Sequence, residues 1–189
     1  MSRKIIYSMH VSLDGFVGGP NGEMDWIKVD DSMFDHVGQL TDDADAAIYG
    51  KNTFHMMDSY WPTADQGPNP TKHDKEHAQW YRSVEKYVIS TTLKNTGADK
   101  VTIIGKNIPE RIAQLKALPG KNILIFGSPS TAYLLTQHGL IDEYRLFVNP
   151  VILGSGIPMF EHNGQTIPLK LRETLQFAAG VTSLCYEKA

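Results

Sequence analysis

The sequence predicts an α/β fold organised on a mostly parallel central sheet, and three observations carry that reading. First, Ile123-Leu124-Ile125-Phe126 is an unbroken apolar run that ends at Gly127-Ser128-Pro129. A strand with one wet face would alternate, so this one is buried on both faces of a parallel sheet. Ser128 is expected to cap the helix that follows, with Pro129 in its first position and Gly139 at its end. Second, residues 100–126 read as strand, helix, strand, the spacing of a parallel crossover. Third, residues 169–177 and 181–187 alternate around Ala178-Ala179-Gly180, which predicts a C-terminal antiparallel hairpin at one edge of the sheet.

Composition narrows the function. A length of 189 residues suits one domain, 1–189, with 41% hydrophobic and 21% charged residues, the balance of a globular protein with a sizeable core. A net charge of -3 gives no electrostatic case for nucleic acid or an anionic membrane surface. Cys185 is the one cysteine; in an apolar strand it reads as a buried, inert thiol. No run is long enough to span a bilayer and the start has no signal-peptide pattern, so the expected location is cytoplasmic.

Along the chain, residues 5–11 form a first strand. Residues 12–22 follow as a glycine-rich loop, and Phe16, Met24 and Trp26 are the large apolar groups it and its continuation carry, which suggests a loop folded over something. Residues 32–40 suit a helix with Phe34, Val37 and Leu40 on one face. Residues 44–50 are a short buried strand ending in glycine, and a helix begins at Lys51. Residues 58–80 are read as a long irregular loop because of Pro62, Gly67, Pro68 and Pro70. Within it, His73 and His77 have the i, i+4 spacing of a metal-binding helix, but in a solvated charge run with no third ligand, so no metal is expected. Residues 86–90 and 100–104 are further strands. Asn107 and Glu110 suggest a capping box, and residues 141–148 add another strand.

Four strand ends are small, polar or basic: Gly50-Lys51-Asn52-Thr53, Ser90-Thr91-Thr92, Gly105-Lys106-Asn107 and Gly127-Ser128. Parallel strands end on one side of a sheet, where ligands bind. The junctions therefore converge on a groove with two helix N-termini, several hydroxyls and Lys51, Lys94 and Lys106, suited to a ligand with several phosphates. No Gly-x-Gly-x-x-Gly fingerprint or Walker loop is present.

The chain resembles the dihydrofolate-reductase-like superfamily. The resemblance rests on Ser12-Leu13-Asp14-Gly15-Phe16, Tyr49-Gly50-Lys51-Asn52-Thr53-Phe54, Val88-Ile89-Ser90-Thr91-Thr92, Phe126-Gly127-Ser128, and Leu140-Ile141-Asp142-Glu143 with Pro150-Val151-Ile152-Leu153-Gly154-Ser155-Gly156. The last set points to the branch containing the reductase domain of bacterial riboflavin biosynthesis. It implies a three-layer α/β fold with helices on both faces of the sheet, NADPH as hydride donor and a homodimer. It implies that Gly50, Lys51, Asn52 and Thr53 with Ser90, Thr91 and Thr92 hold the adenosine-phosphate end, with Gly105 and Lys106 on the same edge. Gly127, Ser128, Ser130 and Thr131 then hold the pyrophosphate, and the loop 13–26 covers the nicotinamide. The family's glycine-rich turn has a single glycine here, and its pterin-binding carboxylate has no counterpart: Asp30, Asp31 and Asp35 read as a solvated helix start.

The expected activity is therefore NADPH-dependent hydride transfer to a C=N or C=O of a small planar heterocycle, pterin- or pyrimidine-like. The alternatives are dihydrofolate reduction, reduction of 5-amino-6-(5-phosphoribosylamino)uracil, or a nucleotide-binding scaffold without catalysis. Asp14 and Trp26 are the candidate catalytic residues. Asp14 is expected to orient the covering loop or relay a proton, or else to cap the turn beside Gly15. Trp26, Phe34, Phe54, Met57 and Trp61 are expected on the substrate side.

Overall fold

The computed structural model describes residues 3–161, 164 and 166–189. In chain order the elements are β1 (Ile5–Ser12), β2 (Phe16–Gly18), α1 (Asp31–Asp42), β3 (Ala44–Gly50) and α2 (Lys51–Tyr60). A 3₁₀ turn (Trp61–Gln66) leads to α3 (Lys72–Ser83), β4 (Glu85–Ile89), β5 (Val101–Ile104), α4 (Ile108–Ala117), β6 (Asn122–Phe126) and α5 (Pro129–Gln137). The chain ends with β7 (Glu143–Asn149), β8 (Ile157–Pro158), β9 (Leu169–Gln176) and β10 (Thr182–Lys188).

Eight strands form one sheet in the order β5-β4-β3-β6-β1-β7-β10-β9, and β2 pairs separately with β8. From β5 to β7 every pairing is parallel. β10 is antiparallel to β7 and to β9, which makes the C-terminal hairpin. Ile123, Leu124 and Ile125 of β6 are all fully buried, as their unbroken apolarity predicts. They divide between two cores. Ile123 and Ile125 pack with Ile112, Leu115, Ala132 and Leu135 of α4 and α5. Leu124 packs on the other face with Leu40, Phe54, Trp80 and Tyr81 of α1–α3.

The connections explain this split and place the site. From β1 the chain crosses over β6 to reach β3; from β6 it crosses over β1 to reach β7. Parallel crossovers keep one hand, so opposite directions put their helices on opposite faces. The carboxyl ends of β6 and β1 thus open a crevice at a topological switch point.

Three local expectations need correction. Residues 58–80 are not an irregular loop. Thr71 caps α3 with a full capping box, its hydroxyl accepting from the Asp74 amide while the Asp74 carboxylate accepts from the Thr71 amide. That signal, Thr-x-x-Asp just after the prolines, is legible in the sequence. Ser128 does not cap α5, and Asn107 does not cap α4. Both stand in the left-handed region, at φ 57° and 48°, and neither side chain bonds its helix. The Ser128 hydroxyl instead accepts from the Gly50 amide at 2.7 Å.

Candidate active site

Two recesses meet at the switch point. The first is a groove of about 690 Å³ along the carboxyl ends of β4, β3 and β6. Lys51, Asn52 and Thr53 line it from the start of α2, Ser90, Thr91 and Thr92 from the end of β4, and Ser128, Ser130 and Thr131 from the start of α5. The border between the two recesses depends on close packing at Gly50, in the groove, and Gly127, in the wall of the second recess. A Cβ on Gly50 would lie 2.9 Å from Thr131 Oγ1, and one on Gly127, held at φ +66°, would lie 3.2 Å from Thr53 Cγ2. The Ser90 hydroxyl accepts from the amides of Thr92 and Leu93 at 3.2 and 3.0 Å, turning the chain out of β4. Lys51 Nζ lies 3.4 Å from Thr92 Oγ1, tying the two junctions.

The N-termini of α2 and α5 both open on this groove, and neither carries a side-chain cap. Their first-turn N–H groups have no acceptor from a capping residue, at the positive ends of two helix dipoles. That combination suits a multiply charged anion such as a pyrophosphate. Glu161 is the one carboxylate among the described residues of the wall. Gly105 and Lys106 do not join the groove. They follow the edge strand β5, where a Cβ on Gly105 would sit 2.8 Å from the Ser90 carbonyl, and only Ile108 of that junction reaches the wall.

The second recess, about 210 Å³, lies beyond Gly127 at the ends of β6, β1 and β7. Its walls are aromatic pairs. Phe34 stacks on His73 at 4.1 Å and Phe147 on His10 at 5.0 Å between ring centroids, and Trp61 meets His77 at 4.0 Å with the rings tilted by 40°. Phe34, Met57 and Trp61 therefore line it, together with Met24 and Ile27 from the loop after β2. Phe54 does not. It is 1% exposed, in the core beneath α2. Trp26 does not line it either, and its indole N–H donates to the Glu23 carbonyl within its own loop. His73 and His77 are not a solvated run but part of this wall, facing aromatic rings.

Asp14 lines neither recess. Its carboxylate accepts from the Ser12 hydroxyl at 2.7 Å and from the amides of Leu153 and Gly154 at 3.1 and 2.7 Å. The Ser12 hydroxyl, then these amides, hold its pKa below the usual carboxylate range. The geometry is that of a tether between two loops.

His10 is a residue the sequence reading passed over. The Asn149 amide fixes its tautomer. Asn149 Oδ1 accepts from the Lys28 amide and Nδ2 donates to the Phe147 carbonyl, so the amide orientation is set. Nδ2 also lies 3.3 Å from His10 Nδ1, which must then be the acceptor, leaving the proton on Nε2. Burial lowers the His10 pKa to about 4, so the ring is a neutral donor at neutral pH. The one available signal was its position near the carboxyl end of a strand beside the switch point.

The chain matches the RibD C-terminal domain over residues 3–183. It is 37% identical over 186 residues to YyaP of Bacillus subtilis (strain 168), an uncharacterized protein, covering 97% of this chain and 94% of that one. Among solved structures it resembles a Shewanella sp. PV-4 protein named for riboflavin biosynthesis, with a TM-score of 0.72 at 24% identity and coverage of 100% and 99%. It also resembles a pyrimidine reductase-like protein of Corynebacterium diphtheriae, with a TM-score of 0.69 at 17% identity and coverage of 99% and 92%. The fold is thus the dihydrofolate-reductase-like one, and the chain belongs to the RibD C-terminal domain family.

Proposed function

We propose that this protein is an NADPH-dependent reductase that transfers a hydride to a C=N or C=O bond of a small planar substrate. The observation that supports it most is the meeting of two unlike recesses at Gly127-Ser128: a polar groove with two uncapped helix N-termini, and an apolar aromatic cavity. The groove fits the cofactor. Gly127, Ser128, Ser130 and Thr131 would hold the pyrophosphate, where a Cβ at 127 would intrude. Lys51 with Thr91 and Thr92 would hold the 2′-phosphate end. When bound, NADPH supplies the hydride. The chain's own work is binding and orientation. The aromatic cavity holds the substrate plane against the groove, and Met24 and Ile27 close over it and exclude water. His10 would present an N–H at Nε2 to the substrate's acceptor atom and stabilise the negative charge the hydride leaves there, and the proton that completes the reduction would come from solvent.

The name of one structural neighbour, a pyrimidine reductase-like protein, points to a pyrimidine ring as one candidate for the reacting part of the substrate. We further propose a cytoplasmic homodimer. The edge strand β9, with Leu169 and Leu171 exposed, is a surface a second copy would cover.

Titration of the purified protein with NADPH and, separately, NADH, followed by tryptophan emission, tests the reading. Saturable binding that prefers NADPH supports it. Absence of binding by either nucleotide overturns it and favours a scaffold that kept the fold without the chemistry.

A further inference from the structure

The apolar cavity is uncharged. Among the described residues, its wall contains no aspartate, glutamate, lysine or arginine. Its three histidines do not supply a charge either. Burial holds His10 to a pKa of about 4, burial and the neighbouring His73 hold His77 to about 3, and burial lowers His73. His77 is 5% exposed and its Nε2 is buried without a hydrogen-bond partner among the described residues, so the site does not even satisfy its own polar atom. Five of the chain's seven methionines, Met9, Met24, Met33, Met56 and Met57, complete the lining. Methionine is flexible and polarizable and adapts to rings of different outline. Carboxylates begin only outside the Phe34–His73 stack, where Asp31, Asp35 and Glu76 gather around Lys72.

From this geometry we infer that the substrate is an uncharged, planar aromatic or heteroaromatic carbonyl or imine compound of one or two rings, with no phosphate or carboxylate on the reacting ring system. A phosphate or carboxylate taken into this cavity would lose its hydration with no cation in the wall to meet it, a strongly unfavourable transfer. The volume, about 210 Å³, exceeds the roughly 150 Å³ known to accept benzene. The inference rests on the reductase reading for what happens to the substrate, and on the cavity alone for what enters.

Two isosteres that differ in charge test it: 2-naphthamide and 2-naphthoate, titrated calorimetrically into the whole protein with and without NADPH. The amide is expected to bind at least about tenfold more tightly than the carboxylate. Met56 is 44% exposed on the rim, so Met56→Lys is expected to fold and to narrow that ratio at least about threefold by placing a cation at the mouth. Equal or tighter binding of naphthoate by the natural sequence overturns the inference, as does failure of naphthamide to bind. The NADPH titration separates the two readings. If naphthamide binds selectively and NADPH does not bind, the cofactor assignment fails and the neutral cavity stands. If NADPH binds and naphthoate wins, the cavity inference fails alone.

Discussion

The groove and the cavity are adjoining recesses made in different ways. The groove is assembled mainly from short runs that follow their strands directly, at residues 50–53, 90–92 and 128–131, with Ile157, Pro158, Met159 and Glu161 on its other wall. Its polar chemistry is backbone N–H, hydroxyls, one lysine and one asparagine amide within a few residues of a strand end, with the Glu161 carboxylate on the other wall. The cavity draws one to three side chains each from β1, α1, α2, the 3₁₀ turn, α3, β6 and β7 and from the loop after β2. A parallel sheet brings strand ends together whatever the side chains are, so the groove follows from topology. The cavity exists only because helices α1–α3 pack at particular angles on the sheet. On the proposed reading, general cofactor binding would belong to the topology and substrate choice to the packing.

Gly127 stands at the border, and its replacement should give the largest effect. Valine there would take a β-branched residue to φ +66° and press its Cβ on Thr53. Left-handed strain costs about 1–2 kcal/mol, and the backbone could no longer approach a pyrophosphate. Gly127→Val is expected to weaken NADPH binding more than about 100-fold while naphthamide affinity falls far less. Equal losses for both ligands would mean that the border is no border and the two recesses act as one site.

On the cavity side, His10→Phe keeps the ring stacked on Phe147 and deletes the Nε2 donor. With 2-naphthaldehyde as acceptor and NADPH oxidation as the readout, turnover should fall about 10- to 100-fold with NADPH affinity unchanged. Unchanged turnover would remove His10 from the chemistry. The same burial makes a prediction about pH. Folded pKa values of about 4 for His10 and about 3 for His77 lie below the ordinary 6.5. Below pH 6.5 the unfolded chain therefore takes up protons that the native chain refuses. Stability is intact above that pH and falls as acid is added, down to about pH 4 for His10 and about pH 3 for His77, by at most ~1.4 kcal/mol per pH unit for each ring. Urea midpoints measured from pH 7 to 4.5 should show the decline, and His77→Leu should reduce the slope, leaving the share carried by His10 and by His36 and His73, whose pKa values burial also lowers. An equal slope in that variant would assign the effect elsewhere.

How much of this was legible follows the same division. The sheet, its C-terminal hairpin and three of the four junctions can be read from apolar runs and glycines because those signals are local. Gly105-Lys106 has the same local form but ends an edge strand, and only strand order tells the two cases apart. Phe54 and Trp61 lie on one short stretch, yet one is in the core and the other in the cavity wall, a difference set by how α2 and the 3₁₀ turn pack. The motifs most specific for the family prove to be braces. Asp142 accepts from the Ile5 amide at 2.8 Å and meets Lys116 Nζ at 2.6 Å, which fixes the start of β1.

Smaller effects are expected at the groove's polar rim. Lys51 is exposed and its contact with Thr92 is long, so it acts as a screened charge worth about 1 kcal/mol. Lys51→Ala or Thr91→Ala should lower the preference for NADPH over NADH about five- to tenfold without altering naphthamide binding. An unchanged ratio would mean that the 2′-phosphate sits elsewhere, and the groove would need another polarity.

The smallest effect on binding is expected at Asp14. Its carboxylate joins the turn after β1 to the Leu153 and Gly154 amides. Close by, β2 pairs with β8, and a Cβ on Gly156 would fall 2.2 Å from the Gly18 carbonyl. The Leu-Asp-Gly and Gly-Ser-Gly motifs, some 140 residues apart, therefore form one clamp. Asp14 and the Gly-Ser-Gly motif lie outside both recesses, while Ile157 and Pro158 of the adjoining β8 line the groove. Asp14→Ala should speed amide exchange at Leu153 and Gly154 and leave NADPH and naphthamide affinities within about twofold, since loosening an exposed tether changes local opening more than binding. If instead naphthaldehyde turnover collapsed while those exchange rates stayed fixed, Asp14 would be a proton relay after all, and the line drawn here between brace and site would have to move to include it.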